Sequence, residues 1–214
     1  MRVKAVIFDL WETLIDWDRA ASTQLNDDLA RIAGEAFIER WSGSTAKYNG
    51  PIRSALAEAG IADEHMDDVC ALRRAYLQKA LVPRAGAVDT LRALRSEGIR
   101  VGLITVCSED IETLWPESEF AGLFDTEVFS SSFGASKPDP RIYLACCERL
   151  GVEPGEAVFV GDGANDELAG ARRVGMEAIL IHRPGEDPLW PEVREWDGPR
   201  ITSIPGVLEV VEPC

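Results

Sequence analysis

Val3-Lys4-Ala5-Val6-Ile7-Phe8 is a nearly unbroken run of β-forming apolar residues, and it ends on the carboxylate of Asp9. A strand covered by helices on both faces reads this way, whereas a half-exposed strand alternates apolar and polar positions. From Asp16 to Leu81 the period changes. Leu25, Leu29, Ile32, Phe37, Ile38 and Trp41, then Ile52, Leu56, Val69, Leu72, Tyr76 and Leu77, recur at helical spacing with no strand pattern between them. Breaks at Ser42-Gly43-Ser44, Asn49-Gly50-Pro51 and Gly60-Ile61-Ala62-Asp63 divide this segment into about four helices. From Val82-Pro83 onward, helix and strand patterns alternate. The spacing predicts helices over Ala85–Glu97, Glu109–Trp115, Pro140–Leu150 and Ala164–Val174, with strands over Val101–Thr105, Glu127–Ser130, Ala157–Val160 and Ala178–Ile181. The tail from Pro184 to Cys214 is rich in Pro and Trp and gives weaker signals.

Alternation of this kind builds a parallel sheet through right-handed crossovers, with helices on both faces. The expected fold is α/β, a doubly wound, parallel, Rossmann-like sheet. Residues 1–15 and 82–214 would form the core, with residues 16–81 inserted after the first strand as an all-helical cap domain.

A chain of 214 residues can bury one good-sized core plus a smaller accessory unit, so a monomer and a homodimer are both open. The net charge of −15 argues against nucleic acid or an anionic membrane as partner and leaves a small molecule. Any anionic substrate must then find local positive charge. No stretch of about 18 apolar residues occurs, and Met1-Arg2-Val3-Lys4 runs straight into a strand without a cleavage-site pattern, so a cytoplasmic location is expected. The five cysteines form no CxxC or Cys/His cluster and are expected as reduced thiols.

Open α/β sheets bind ligands beyond the carboxyl ends of their strands. Four such ends carry polar groups here: Asp9; Thr105 after Val-Gly-Leu-Ile; Lys137 in Gly134-Ala135-Ser136-Lys137-Pro138-Asp139-Pro140; and Asp162 with Asp166 in Gly161-Asp162-Gly163-Ala164-Asn165-Asp166. In these four motifs and their order the chain resembles the haloacid dehalogenase superfamily, from about Val3 to Ile181. The position of the helical insertion resembles that family's first cap type. One short motif is weak evidence, but four in register around one sheet are strong.

The chemistry follows from the groups. A carboxylate can attack phosphorus and split a difficult hydrolysis into two easier steps through an acyl phosphate. Repulsion between two anions must first be cancelled, and Mg²⁺ does so with oxygen ligands. The resemblance implies that Asp9 is the nucleophile and that Asp9, Asp162, Asp166 and the backbone carbonyl of Trp11 hold Mg²⁺. It also implies that Lys137 holds nucleophile and phosphate together, and that Thr105 and the backbone at Val106 bind the remaining phosphate oxygens. Plainer roles compete with each. An Asp at a strand end is often a turn or helix cap, Thr105 can simply finish a β-strand, and Asp166 can sit favourably at a helix N-terminus. Lys137 can be an ordinary loop cation, although the chain uses Lys only at positions 4, 47, 79 and 137 among 22 basic residues.

Trp11 departs from the family pattern. The superfamily's phosphatases usually place a second Asp there as general acid and base, and losing such a group typically costs about 10² to 10⁴ in rate. Glu12, Asp16 and Asp18 are the nearby acids available to take over. A nonacidic residue here also resembles the superfamily's 2-haloacid dehalogenases, in which an Asp attacks carbon without a metal and an aromatic stands at this position. Gly161-Asp162, however, keeps a carboxylate that those dehalogenases replace by neutral residues, and Thr105-Val106 lacks their usual Ser-Asn pair. A small-metabolite phosphatase is therefore the leading reading, beside a 2-haloacid dehalogenase and a phosphate-binding regulatory module with little turnover.

Other features read as structure. Cys107 is a small apolar residue near the site, Cys146-Cys147 point in different directions on a helix, and His65 and His182 lack ligand spacing. Trp17, Trp41 and Trp115 could line the cleft between cap and core, although aromatics at helical spacing more often pack a core, and Trp190 and Trp196 are expected to pack the tail on the sheet edge.

Overall fold

The computed structural model describes residues 1–183 and 191–214. Among these, β1 (Arg2–Val3) precedes β2 (Ala5–Phe8), and four helices follow: α1 (Arg19–Ala33), α2 (Glu35–Gly43), α3 (Ile52–Glu58) and α4 (Asp63–Ala80). The chain then alternates through α5 (Ala87–Ser96), β3 (Arg100–Thr105), α6 (Glu109–Leu114), β4 (Thr126–Phe129), α7 (Ser130–Phe133), α8 (Pro140–Leu150), β5 (Ala157–Gly161), α9 (Glu167–Arg173) and β6 (Glu177–Ile181). It closes with β7 (Arg200–Ile201), α10 (Val207–Val210) and β8 (Glu212–Pro213).

The main sheet has strand order β4-β3-β2-β5-β6-β7, and every neighbouring pair is parallel. The apolar runs dictate this arrangement. β2 and β5 are buried along their whole length, which suits only strands in the middle of a covered sheet. Successive side chains point to opposite faces. Val6 and Phe8 therefore join Leu103, Val158 and Val160 against α5, α6 and α10, while Ala5 and Ile7 join Ile104 and Phe159 against α8 and α9. The chain moves outward from β2 through β3 to β4 and then returns to place β5 on the other side of β2. That reversal opens the sheet's crevice at the C-terminal end of β2.

The helical insert has an apolar centre of its own, including Leu29, Phe37, Trp41, Leu56, Met66 and Val69. Its two connections to the sheet pass side by side: Ile15 forms an isolated antiparallel bridge with Pro83, and Arg84 N–H donates to Leu14 O at 2.8 Å.

The tail differs from its weak sequence signal. β7 extends the sheet beside β6, and β8 pairs with β1 in a separate two-stranded ribbon. Both strands are two residues long and are held by backbone hydrogen bonds, which leave no periodicity to read. Trp196 packs against the second core layer and the Arg172 guanidinium lies 3.9 Å from its ring centre. Trp190 lies outside the described residues.

Candidate active site

Asp9 follows the last residue of the central strand, and its N–H donates to Val160 O at 2.9 Å, which fixes its backbone between β2 and β5. The residue is 4 % exposed. Its Oδ1 accepts a hydrogen bond from Lys137 Nζ. Lys137, also buried, reaches in from the loop between α7 and α8 with its ammonium 5.2 Å from the Phe159 ring centre. The same Nζ donates to Glu167 Oε2 at 2.5 Å.

Glu167 was not among the residues picked out by sequence, and it is fully buried. Its Oε1 accepts from Gly163 N–H at 3.0 Å, and Tyr143 OH donates to its main-chain oxygen at 2.8 Å. Asp9, Asp162 and Glu167 each present a carboxylate oxygen within 4.8 Å of the others. Asp162 Oδ1 also accepts from Ala164 N–H at 3.0 Å. Three carboxylates at such spacing form a donor set of the kind that hard cations take.

Asp166 is exposed and lies outside this cluster, so the structure puts Glu167 where the sequence reading put its neighbour. The reason is local. The helix expected from Ala164 is instead a 3₁₀ turn over Ala164–Asp166 in which Asn165 and Asp166 take left-handed backbone angles, φ 50° and 61°. α9 proper begins one residue later and turns Glu167 inward. A signal for this was present, because Glu167, Gly170 and Ala171 share the buried face of the helix at spacings of three and four.

Charge sharing sets the protonation of the pair. Burial would lower the pKa of Lys137, but the negative charges of Asp9 and Glu167 outweigh it and hold the ammonium above its ordinary range. Burial pushes Glu167 well up, with repulsion from Asp9 and Asp162 adding to it and attraction to Lys137 opposing it.

Thr105 ends β3 fully buried, and its Oγ1 has no hydrogen-bond partner among the described residues. A buried hydroxyl left unpaired costs roughly 1–3 kcal/mol, which a bound oxygen-rich ligand would recover. Val106, Cys107 and Ser108 continue from it along the wall of a cleft of about 550 Å³. Asp9, Trp11, Lys137, Asp162 and Glu167 line the sheet side of that cleft, and Trp17, Trp41, Lys47, Tyr48 and Arg73 line the insert side. Trp17 and Trp41 thus face the cleft, whereas Trp115 is buried in the core against Phe120.

Trp11 is partly exposed, with its ring centre 6.4 Å from that of Trp17. The three acids nearby are all engaged elsewhere. Glu12 takes a left-handed φ of 55°, accepts from Trp17 N–H at 2.7 Å and pairs with Arg84 at 2.8 Å. Asp16 pairs with Arg84 and Arg183, each at 2.6 Å, and Asp18 caps α1 by accepting from Ala21 N–H at 2.9 Å.

Residues 3–175 match the family model of haloacid dehalogenase-like hydrolases. The chain belongs to this family. Curated relatives of this haloacid dehalogenase-like hydrolase include two enzymes of different activity. An (S)-2-haloacid dehalogenase 4A of Burkholderia cepacia is 28% identical over 87% of this chain and 86% of its own length. A glyceraldehyde 3-phosphate phosphatase of Methanopyrus kandleri is 30% identical over 85% of this chain and 84% of its own. Among solved structures, the 2-haloacid dehalogenase of Pseudomonas syringae pv. Tomato DC3000 superimposes with a TM-score of 0.70 at 26% identity, covering 97% of each chain. The hydrolase family is therefore established, with dehalogenases and phosphatases both close to this member.

Proposed function

We propose that this hydrolase is a Mg²⁺-dependent phosphatase of a small phosphorylated metabolite, with Asp9 as nucleophile. The observation that carries the reading is the pair of carboxylates, Asp162 and Glu167, standing beside Asp9. An Asp that attacks carbon without a metal gains nothing from two more negative charges at its side. An Asp that attacks a phosphate dianion under a hard cation requires them. The residues fit that ion: Asp9, Asp162 and Glu167 would hold it, joined by the Trp11 carbonyl, which needs no particular side chain. Bound there, Mg²⁺ would neutralise charge on the phosphate and on the attacking carboxylate.

The chain's own residues do the rest. Asp9 attacks phosphorus in line with the departing alcohol and forms an aspartyl phosphate, which water then hydrolyses. Lys137 holds the Asp9 carboxylate in place and presents its charge to the incoming phosphate. Thr105 Oγ1 and the backbone N–H at Val106 donate to the phosphate oxygens, which would give the Thr105 hydroxyl a partner. With Trp11 in place of an acid, and with Glu12, Asp16 and Asp18 committed to other contacts, the leaving alkoxide takes its proton from water. Good leaving groups should therefore turn over fastest. The helical insert acts as a cap that opens about its two crossings, residues 15–18 and 81–84, admits substrate and then limits the water around the reacting groups.

A 2-haloacid dehalogenase is the second reading, favoured by the Trp11 and Trp17 rings at the cleft. Parallel assays separate the two. Inorganic phosphate from p-nitrophenyl phosphate without chloride from (S)-2-chloropropionate supports the phosphatase, and the reverse result removes it.

A further inference from the structure

Lys47 lies in a short 3₁₀ turn, Ala46–Tyr48, on the insert side of the cleft. Its Nζ donates to Trp41 O at 3.0 Å and Ser42 O at 3.3 Å, which occupies two of its three donors and holds the ammonium over the Trp41 and Tyr48 rings at 5.5 and 5.2 Å. The other described cations on the cleft wall each pair with a carboxylate. Arg73 pairs with Asp110 at 2.6 Å, and Lys137 with Asp9 and Glu167. Lys47 pairs with no carboxylate among the described residues, in a chain of net charge −15.

In this arrangement the turn docks on the sheet unit. Ser130 Oγ donates to Tyr48 O at 2.9 Å and also accepts from Cys107 N–H at 3.0 Å, so one hydroxyl ties the insert to the loop that follows Thr105. Burial, with the Arg73 charge beside it, lowers the pKa of Lys47. An anion bound against it would reverse that loss. One positive charge with a single spare donor between two aromatic faces matches a carboxylate, whereas a second phosphate dianion would call for several donors.

We propose that Lys47 is a specificity-determining residue that receives the carboxylate of a phosphorylated small acid. The proposal rests on the phosphatase reading for the other end of the substrate, where the phosphate meets Asp9 and Thr105.

The test compares two non-hydrolysable ligands, 3-phosphonopropanoate and propylphosphonate, by calorimetric titration at fixed Mg²⁺. The expected result is tighter binding of the carboxylate-bearing ligand to the wild type. That preference should fall about 10-fold or more in Lys47→Met and return largely in Lys47→Arg. Because each variant is judged by the ratio between two ligands, a reduced folded fraction cancels. Equal affinities in the wild type, or a Lys47→Met variant that keeps the wild-type preference, would overturn the proposal. Phosphate release from p-nitrophenyl phosphate, scored separately, reports on the phosphatase reading without entering this ratio.

Discussion

The Glu167 carboxylate fills the space that a side chain at position 161 would take: a Cβ on Gly161 would fall 2.1 Å from Glu167 Oε1 and 2.8 Å from its carboxyl carbon. The glycine at the end of the strand is there for room rather than for unusual backbone angles, and the room is given to the third carboxylate of the cluster. Gly161→Ala should therefore act on the site before it acts on the fold. Overpacking of this kind costs about 1–3 kcal/mol. The expected outcome is a modest loss in thermal stability with a clearly higher Mg²⁺ concentration for half-maximal activity, checked by melting curves and Mg²⁺ titration of the same preparation.

Two adjacent acids should differ sharply. Glu167→Gln removes a buried charge from the cluster and should raise the Mg²⁺ concentration needed for half-maximal phosphate release by about 10-fold or more. Asp166→Asn changes an exposed residue and should shift it less than about twofold. The opposite ranking would return the ligand role to Asp166.

Replacing Trp11 tests what its presence costs. Trp11→Asp places a carboxylate two residues after Asp9 and should raise kcat on an alkyl phosphate by about 10-fold, with a smaller gain on p-nitrophenyl phosphate, whose leaving group needs no proton. Equal gains on both esters would mean that proton supply does not limit the wild type.

Cys107 lines the cleft wall yet should be chemically quiet. Burial pushes its thiol from an ordinary 9.0 up to about 12. The native protein keeps that proton over a range in which the unfolded chain releases it. Stability is therefore untouched below about pH 9 and lost as pH rises toward 12, by up to about 1.4 kcal/mol per pH unit from this group. Iodoacetamide at pH 8 should label exposed Cys214 and spare Cys107 until the protein is unfolded, which peptide mass spectrometry would read directly.

The sheet was legible because its central strands are buried throughout, so Ala5–Phe8 and Ala157–Gly161 carry apolar runs with no competing period. The helices of the insert were legible for the complementary reason, their apolar residues recurring at 3.6. Asp9 and Lys137 meet in the structure, and Thr105 is buried with its hydroxyl unpaired among the described residues. What the sequence concealed was the choice between Asp166 and Glu167. Neighbouring helical positions differ by about 100° in direction. Two left-handed residues, Asn165 and Asp166, decided where the helix began and hence which acid faced inward. The fate of Glu12 was equally hidden, since its partner Arg84 lies beyond the whole insert in the chain and meets it only where the two crossings pass.

In the proposed mechanism Asp9 attacks phosphorus with the help of a divalent cation. Its most direct test is phosphate release from p-nitrophenyl phosphate by the wild type and Asp9→Asn, each with Mg²⁺ and with excess EDTA. Release by the wild type is expected with Mg²⁺ alone, with a loss of at least about 10³-fold in Asp9→Asn. Release that survives EDTA, or that persists in Asp9→Asn, would contradict the mechanism.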